Sequence, residues 1–519
     1  MDRRHFLKIS GTTLAATSLA GPSQAAAREW ARPEALSDNP FTLGVASGDP
    51  AANSISLWTR LAPDPLGDGG MPGLPAKVEW DISSRPDFAD ELLSGQMDVW
   101  PEFGHVVKPR IAGLQPGQTY YYRFRFGTHL SRVGQFLTAP AQNDVRPIRF
   151  ALASCNRYED GWFHAFRHIN QDQVDFVFHA GDYIYEKASR ADRMRPHGLP
   201  ECFTLTEYRR RYALYKLDKD LQDLHASKAF ISTWDDHEVA GNWAGVKDKW
   251  GTPDAVFAQR RTDAFQAYWE AMPFAVPPPA PGGELALYRR VHYGPNVNLL
   301  VLDTRQYRSD QACGDTTTEL CEAAQQPGRT MLGQAQQSWL EDEIKRSRAA
   351  WTLIGQQVPS FLMDYNAGEP RVVSMDKWDG YPQAQKEFQK LLDQAQGPCV
   401  TLAGDVHQHI AAQRRHWQTG APAGADLVAT SVTSGGDGQD RDDAWETLQA
   451  SNPDLVYNSR RRGYVLLEAG PERLDIDFRT LDRITDRAHR LYRSAQGGVS
   501  RSGQLTLREM DQLLREEKA

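Results

Sequence analysis

Five short segments of the chain carry groups able to hold a metal ion or meet a phosphate: Ser154-Cys155-Asn156-Arg157, Gly181-Asp182-Tyr183-Ile184-Tyr185, Asp235-Asp236-His237-Glu238 with Asn242 behind it, Asp303-Thr304-Arg305, and Gly404-Asp405-Val406-His407. A lone Asp after an apolar run usually caps a turn, and a lone Cys is usually a packed thiol. Asp303 stays between a cap and a site residue on that ground. The Cys, Gly-Asp-x-x-Tyr, Asp-Asp-His-Glu and Gly-Asp-x-His groups resist it together. Carboxylates at Asp182 and Asp405 suit the bridging of adjacent cations, and His407 adds a nitrogen ligand. A thiolate at Cys155 and a phenolate at Tyr185 favour high-valent iron, whereas oxygens from Asp235, Asp236 and Asn242 suit calcium or magnesium. The expected product is a mixed-metal cluster. Which of Asp235 and Asp236 ligates is left open, because neighbouring side chains of an extended segment face opposite ways.

Positioning these groups requires strands. Each follows a short apolar run: Ile148 to Ala153, Asp175 to Ala180, Ala229 to Trp234, Val297 to Leu302 and Cys399 to Ala403, with a further run at Trp351 to Ile354. Helical patterns lie between them at Trp162 to Asn170, Leu205 to Leu224, Ala255 to Met272 and Gly333 to Ser347. Strands alternating with helices predict an α/β sheet over 147–482, in which ligands collect beyond the carboxyl ends of the strands. Glycine before Asp182 and Asp405 permits the tight turn that aims each carboxylate into a shared cavity. Residues 41–140 read differently, as short alternating runs such as Ser54 to Thr59, Lys77 to Asp81 and Tyr120 to Phe126, which predict a separate small antiparallel sandwich of fibronectin-III or immunoglobulin type. The tail, 483–519, has Leu505, Leu507, Met510, Leu513 and Leu514 at near-helical spacing and predicts a terminal amphipathic helix.

The 519 residues suit two to four domains, and 40% hydrophobic with 24% charged residues is a globular balance that excludes disorder, coiled coil and a polytopic membrane protein. A formal charge of −8 without a Lys/Arg-rich block argues against a nucleic-acid partner unless cations intervene. Residues 1–27 read as an export leader: Arg3-Arg4 precedes Phe6-Leu7-Lys8, a mildly apolar run too short to span a bilayer, and Ala25-Ala26-Ala27. This is similar to a Tat signal, implying passage through the Tat translocase in a folded state and a periplasmic or secreted location. Its loss leaves 56 basic against 66 acidic residues, near −10. Of five cysteines, Cys313 and Cys321 bracket a polar loop suited to a local disulfide, while Cys202 and Cys399 read as buried thiols. Trp234, Trp243 and Trp378 read as core or cleft wall rather than cofactor contacts.

In their order, SCNRYEDGWFHAF, HAGDYIYE, STWDDHEVAGNW, LVLDTRQYR, WDGYP and LAGDVHQH, behind a Tat-like leader and a β-sandwich, resemble the PhoD-like alkaline phosphatases over Phe41 to Leu481. The resemblance implies a metallophosphatase fold related to purple acid phosphatases, a β-sandwich core flanked by helices. It implies Fe(3+) held by Cys155, Asp182, Tyr185 and His407, and Ca(2+) held by Asp182, one or both of Asp235 and Asp236, Asn242 and Asp405. The family pattern has two Asn after Asp-His-Glu-Val; Gly241-Asn242 here offers one. The chemistry that follows is attack by a metal-bound hydroxide or oxide on a phosphate ester, without a phosphoenzyme. Asn156, Arg157, His237 and His409 are the candidates for contacting phosphate or protonating the leaving group. The expected substrates are phosphate mono- and diesters; alternatives are a phospholipase-D-like diesterase acting on lipid headgroups and a non-catalytic metal-binding protein on the same fold.

Overall fold

A computed structural model describes residues 29–518 except 281, 367, 442 and 443. The expected leader, 1–27, lies outside the described residues. Two large sheets face each other. The first has eleven strands, running in space as Leu505–Glu517, His489–Ser500, Arg473–Leu481, Gly463–Ala469, Ile148–Ala153, Phe176–His179, Ala229–Ser232, Ala46–Gly48 and Ser54–Arg60, with Val106–Val107 and Arg110–Ala112 both paired to the last. The second has seven, in the order Arg289–Tyr293, Val297–Val301, Trp351–Gly355, Cys399–Ala403, Pro422–Val428, His409–Arg415 and Leu455–Ser459.

The two-residue period of a strand divides its side chains between two cores. Ile148, Phe150 and Leu152 point between the sheets together with Phe176, Phe178, Val297, Leu299 and Val301. Ala151, Ala153 and Val177 point outward, under the helices His164–Gln171, Leu205–Lys216, Lys219–Ser227 and Asp254–Ala271. Leu300 and Leu302 face the helices Gly333–Arg346 and Pro382–Leu392 on the far side. The order is helix, sheet, sheet, helix. In each sheet the central strands run parallel, 148–153 beside 176–179 beside 229–232, and 297–301 beside 351–355 beside 399–403. Their carboxyl ends lie at one rim, where Gln357 bolts the sheets together by donating to Thr233 Oγ1 at 2.6 Å and the Leu302 carbonyl at 2.9 Å.

Three expectations are corrected. The stretch 205–224 is two helices, because Asp218 accepts from the backbone N–H groups of Asp220 and Leu221 and so starts a new one. The tail is not a helix but the antiparallel hairpin His489–Ser500 and Leu505–Glu517, which closes one edge of the eleven-stranded sheet. Its pairing slips at Leu491/Tyr492 and again between Arg493 and Ala495, and such bulges break the alternation of apolar positions. That break is what imitates helical spacing in the sequence. The N-terminal sandwich is not separate either. Its outer sheet is the five strands Glu91–Val99, Ala76–Ser83, Thr119–Phe126, His129–Leu130 and Gly134–Leu137. Its inner sheet is the end of the eleven-stranded one, joined where Ser47 and Gly48 pair in parallel with Ala229 and Phe230. Ile55, Leu57, Tyr122 and Phe124 belong to the same core as Phe150 and Phe178. Tyr120 makes a corner at the start of its strand, its hydroxyl accepting from Gln115 N at 3.0 Å.

Candidate metal centre

The candidate ligands occupy turns rather than strands. Ten non-glycine residues among those described have positive φ, and five of them are Cys155, Asp182, Asn242, Asp405 and His407, at 59°, 57°, 53°, 69° and 55°. Left-handed backbone costs of order 1–3 kcal/mol for a residue with a side chain, and persists only where surrounding contacts dictate it. They do so here. Cys155 N donates to Gly181 O and Asn156 N to Asp182 O, each at 3.0 Å. Buried Glu238 accepts from Asp182 N, Tyr183 N and Asp235 N at 3.1, 2.6 and 2.8 Å, tying two ligand loops to one carboxylate. Burial pushes that carboxyl up to about 7 against these three donors. Gly404 is required by close approach, since a Cβ there would stand 2.4 Å from Ser154 Oγ.

On one flank, Cys155, Asp182 and His407 bring ligand atoms within 4.8 Å of one another. Tyr185 joins them, its hydroxyl donating to Asp182 Oδ2 at 2.8 Å and lying 3.1 Å from His407 Nε2, with Ser434 Oγ at 2.7 Å. On the other flank Asp235, Asp236 and Asp405 converge within the same limit, and Asp182, Asp236 and His237 form a third such group. The strand ends at Ser232, so its alternation does not extend to Asp235 and Asp236, and both carboxylates turn inward. Asp235 Oδ1 is held by Arg305 Nε at 2.5 Å, whereas its Oδ2 is buried with no partner. Arg305 also lies 3.6 Å from Asp405 and binds Asp376 through two nitrogens, and Lys377 Nζ is 3.1 Å from Asp405 Oδ2. Asp236 Oδ2 accepts from Asn242 N at 2.7 Å; the Asn242 amide nitrogen is gripped by Asp315 at 2.8 and 3.1 Å, which fixes the orientation of that amide.

Electrostatics test whether this donor set suits cations. Burial pushes the Cys155 thiol and the Tyr185 phenol well up, and the Asp182 negative charge pushes both further. Burial likewise raises the Asp182 carboxyl well above the carboxylate range; His237 opposes this, and Asp236, Asp235 and Glu238 add to it. Thiolate, phenolate and carboxylates crowded in this way ionise together only against added positive charge, which a cation supplies. An orphaned carboxylate oxygen at Asp235 points the same way. The residues fit a metal cluster.

The four candidates for phosphate contact fall apart. His237 belongs to the centre: its Nδ1 is 2.6 Å from Glu186 Oε2, its Nε2 3.9 Å from Asp236, and its side chain keeps 21% exposure. Burial disfavours its imidazolium, but Asp236, Glu186 and Asp182 outweigh that and hold its pKa well above the ordinary value. The Arg157 guanidinium lies 5.5 Å from the centre of the Tyr185 ring, 3.7 and 3.8 Å from Glu159 and Asp160, with Nε making no hydrogen bond. Asn156 is a correction. Its amide donates to Tyr183 O at 2.9 Å and its carbonyl meets His179 Nε2 at 2.8 Å, so it braces the ligand loops from behind. His409 is another, since one ring nitrogen accepts from Thr430 N and the other meets Arg479 O, on a strand that packs against Phe478. Asp303 takes its capping role, accepting from Arg305 N and Gln306 N. Trp234 lies against Phe265 and Trp378 against Phe388, both in the core. Cys313 and Cys321 form the expected disulfide, and Cys202 and Cys399 are buried thiols.

Sequence reading missed Arg305, Glu186, Glu238, Lys377 and Asp315 as site residues. Glu186, Glu238 and Arg305 stand inside the motifs and Lys377 directly before WDGYP; Asp315 carries no local signal. No helix among the described residues is long and apolar enough to cross a membrane.

Comparison with known proteins agrees with this geometry. A family profile described as PhoD-like phosphatase matches residues 150–478, and one described as PhoD-like phosphatase, N-terminal domain, matches 24–140. Alkaline phosphatase D of Bacillus subtilis is 37% identical over 527 aligned residues, spanning 98% of this chain and 90% of that one. A solved structure of PhoD superposes with a TM-score of 0.88 at 36% identity, covering 92% of this chain and 93% of the other. A purple acid phosphatase from yellow lupin seeds, 12% identical with a TM-score of 0.50 over 84% of this chain and 71% of its own, shares the fold. The protein is a metallophosphatase hydrolase of the alkaline phosphatase type, and the chain belongs to the PhoD-like phosphatase family.

Proposed function

We propose that the chain is an exported phosphoric ester hydrolase with monoesterase and diesterase activity, using a ferric ion held by Cys155, Asp182, Tyr185 and His407 and calcium held by Asp182, Asp235, Asp236, Asn242 and Asp405. The observation that carries the reading is the convergence of a thiol, a phenol, a carboxylate and an imidazole at three loop ends. Softer and strongly anionic donors on one flank, with hard oxygens alone on the other, match the preferences of iron and calcium. Held by these residues, such ions would supply positive charge for phosphate oxygens and would make a water more acidic.

The chain's own residues do the rest. Arg305 and Lys377 set positive charge against the Asp235, Asp236 and Asp405 carboxylates. Arg157, only loosely paired to Glu159 and Asp160, has a guanidinium edge to offer a phosphate oxygen. His237, oriented by Glu186 through Nδ1, holds a proton at Nε2 for the departing alkoxide. Export by the Tat route rests on Arg3-Arg4 and the residues behind them. The test is metal analysis of the purified protein with hydrolysis of p-nitrophenyl phosphate and bis-p-nitrophenyl phosphate, before and after calcium chelation. About one equivalent of iron and calcium-dependent turnover of both esters is expected. Zinc or manganese without iron, and indifference to chelation, sinks the assignment of Cys155 and Tyr185. Absence of turnover in metal-replete protein leaves a binding protein.

A further inference from the structure

We propose that Trp250 and Lys187 form a leaving-group subsite for planar aromatic groups at the rim of the centre; this rests on the phosphoric ester reading above. Trp250 is the most exposed tryptophan among the described residues, at 62%. An exposed indole forgoes a large hydrophobic gain, and this one is not on a loose tail. Buried Asp248 builds the loop, accepting from Trp250 N at 3.1 Å, Thr252 N at 2.9 Å and Thr252 Oγ1 at 2.5 Å.

Two chains of direct contact fix that loop beside the centre. In one, the Lys187 ammonium lies 5.0 Å from the centre of the Trp250 ring and 3.2 Å from Glu186 Oε1, while Glu186 Oε2 holds His237 Nδ1 at 2.6 Å. In the other, Lys249 Nζ is 3.3 Å from Asp315, which holds the Asn242 amide. The loop therefore reaches the proton-bearing histidine through Lys187 and Glu186, and a calcium-flank residue through Asp315 alone. His237 stands where the leaving group departs, so the ring that reaches it through two side chains lies on the leaving-group side. A lysine ammonium steadies the indole by cation–π attraction, and the broad exposure of the ring leaves aromatic surface for stacking. Lys187, Lys249 and Lys247 are each paired to carboxylates, Glu186 and Glu201, Asp315, and Asp254. The patch thus lacks the free positive charge an anionic bilayer would engage, which favours an aromatic ligand over a lipid surface.

The test compares adenosine 5′-monophosphate with ribose 5-phosphate, which share a primary alkoxide leaving group and differ in the base. In Trp250→Ala the ratio of their kcat/KM values falls about tenfold, mostly through KM for the nucleotide, as loss of one base stack implies. Trp250→Phe keeps most of the ratio. A ratio unchanged in Trp250→Ala, or equal losses on both substrates, overturns the subsite. So does loss of sedimentation with phosphatidylglycerol vesicles in Trp250→Ala at an intact ratio, which assigns the loop to a lipid surface. Wild-type protein that hydrolyses neither ester removes the phosphoric ester reading itself, whereas hydrolysis of both at one efficiency removes the subsite alone.

Discussion

The two flanks of the centre solve the same electrostatic problem in opposite ways. Around Asp235, Asp236 and Asp405 the chain brings its own cations, with Arg305 buried against all three and Lys377 against the last. Around Cys155, Asp182, Tyr185 and His407 no lysine or arginine among the described residues forms an ion pair with the donors: Tyr185 donates to Asp182 and accepts from the Ser434 hydroxyl, and the neighbouring cation is His237. The lesson is that anionic side chains cluster for two reasons, to be neutralised by the protein or by something it binds, and the identity of their nearest partners tells which. The first flank is partly neutralised by the chain before a cation arrives, with one Asp235 oxygen still unpartnered, and the second leaves nearly all of that work to a ligand.

The sharpest way to break the comparison is to remove a donor from the second flank. Asp182→Asn or Cys155→Ser is expected to cost more than about 100-fold in phosphatase turnover, beyond what outer ligand supports cost, with bound metal lost in the same preparation. A loss of only a few-fold would mean that this flank does not carry the reaction. Arg305→Met removes the cation from the first flank and strands buried Asp235 and Asp376, so denaturant unfolding should show about 3–5 kcal/mol of lost stability. Retained stability would show that the carboxylates do not depend on it. Asp315→Ala frees the Asn242 amide and is expected to weaken calcium binding about tenfold, read as a rise in the calcium concentration that half-restores activity and as a loss of calcium-induced thermal stabilisation.

The smallest effect uses a buried cluster with no anion at its heart. His164 stacks on His489 at 3.7 Å between ring centres, and His168 Nε2 meets His489 Nε2 at 2.9 Å. Burial first and the neighbouring His489 second lower His164 and His168 to about 3. Their folded values lie below the unfolded 6.5, so their contribution is full above that pH and drains away as pH falls toward 3, because the unfolded chain takes protons first. At pH 5 the penalty is about 2 kcal/mol per ring. Melting curves at pH 7.5, 6 and 5 should show it, and His489→Gln should flatten the trend; an equal slope in both proteins would assign acid lability elsewhere.

Most of what could be read ahead of the structure was local. A strand end, a glycine and a carboxylate lie within three residues of each other, so the turns at Asp182 and Asp405 were legible. Arg305 against Asp235 and Asp376 was not, because those pairs form across 70 and 71 positions of chain and depend on how the two sheets face. His409 failed for the related reason that two residues beyond a ligand in sequence is a different strand in space. The tail failed because bulged strands lose the period by which strands are recognised.

The strand Ala46–Gly48 has a consequence for the history of this architecture. Family profiles divide near residue 145, yet hydrogen bonds cross from 46–48 to 229–232. A chain beginning at residue 147 would bare the Ala229–Ser232 edge along its backbone, an invitation to pair with a second molecule. The two segments are thus better regarded as one heritable unit: recombination that exchanged either without a matching edge strand would leave that backbone edge unpaired.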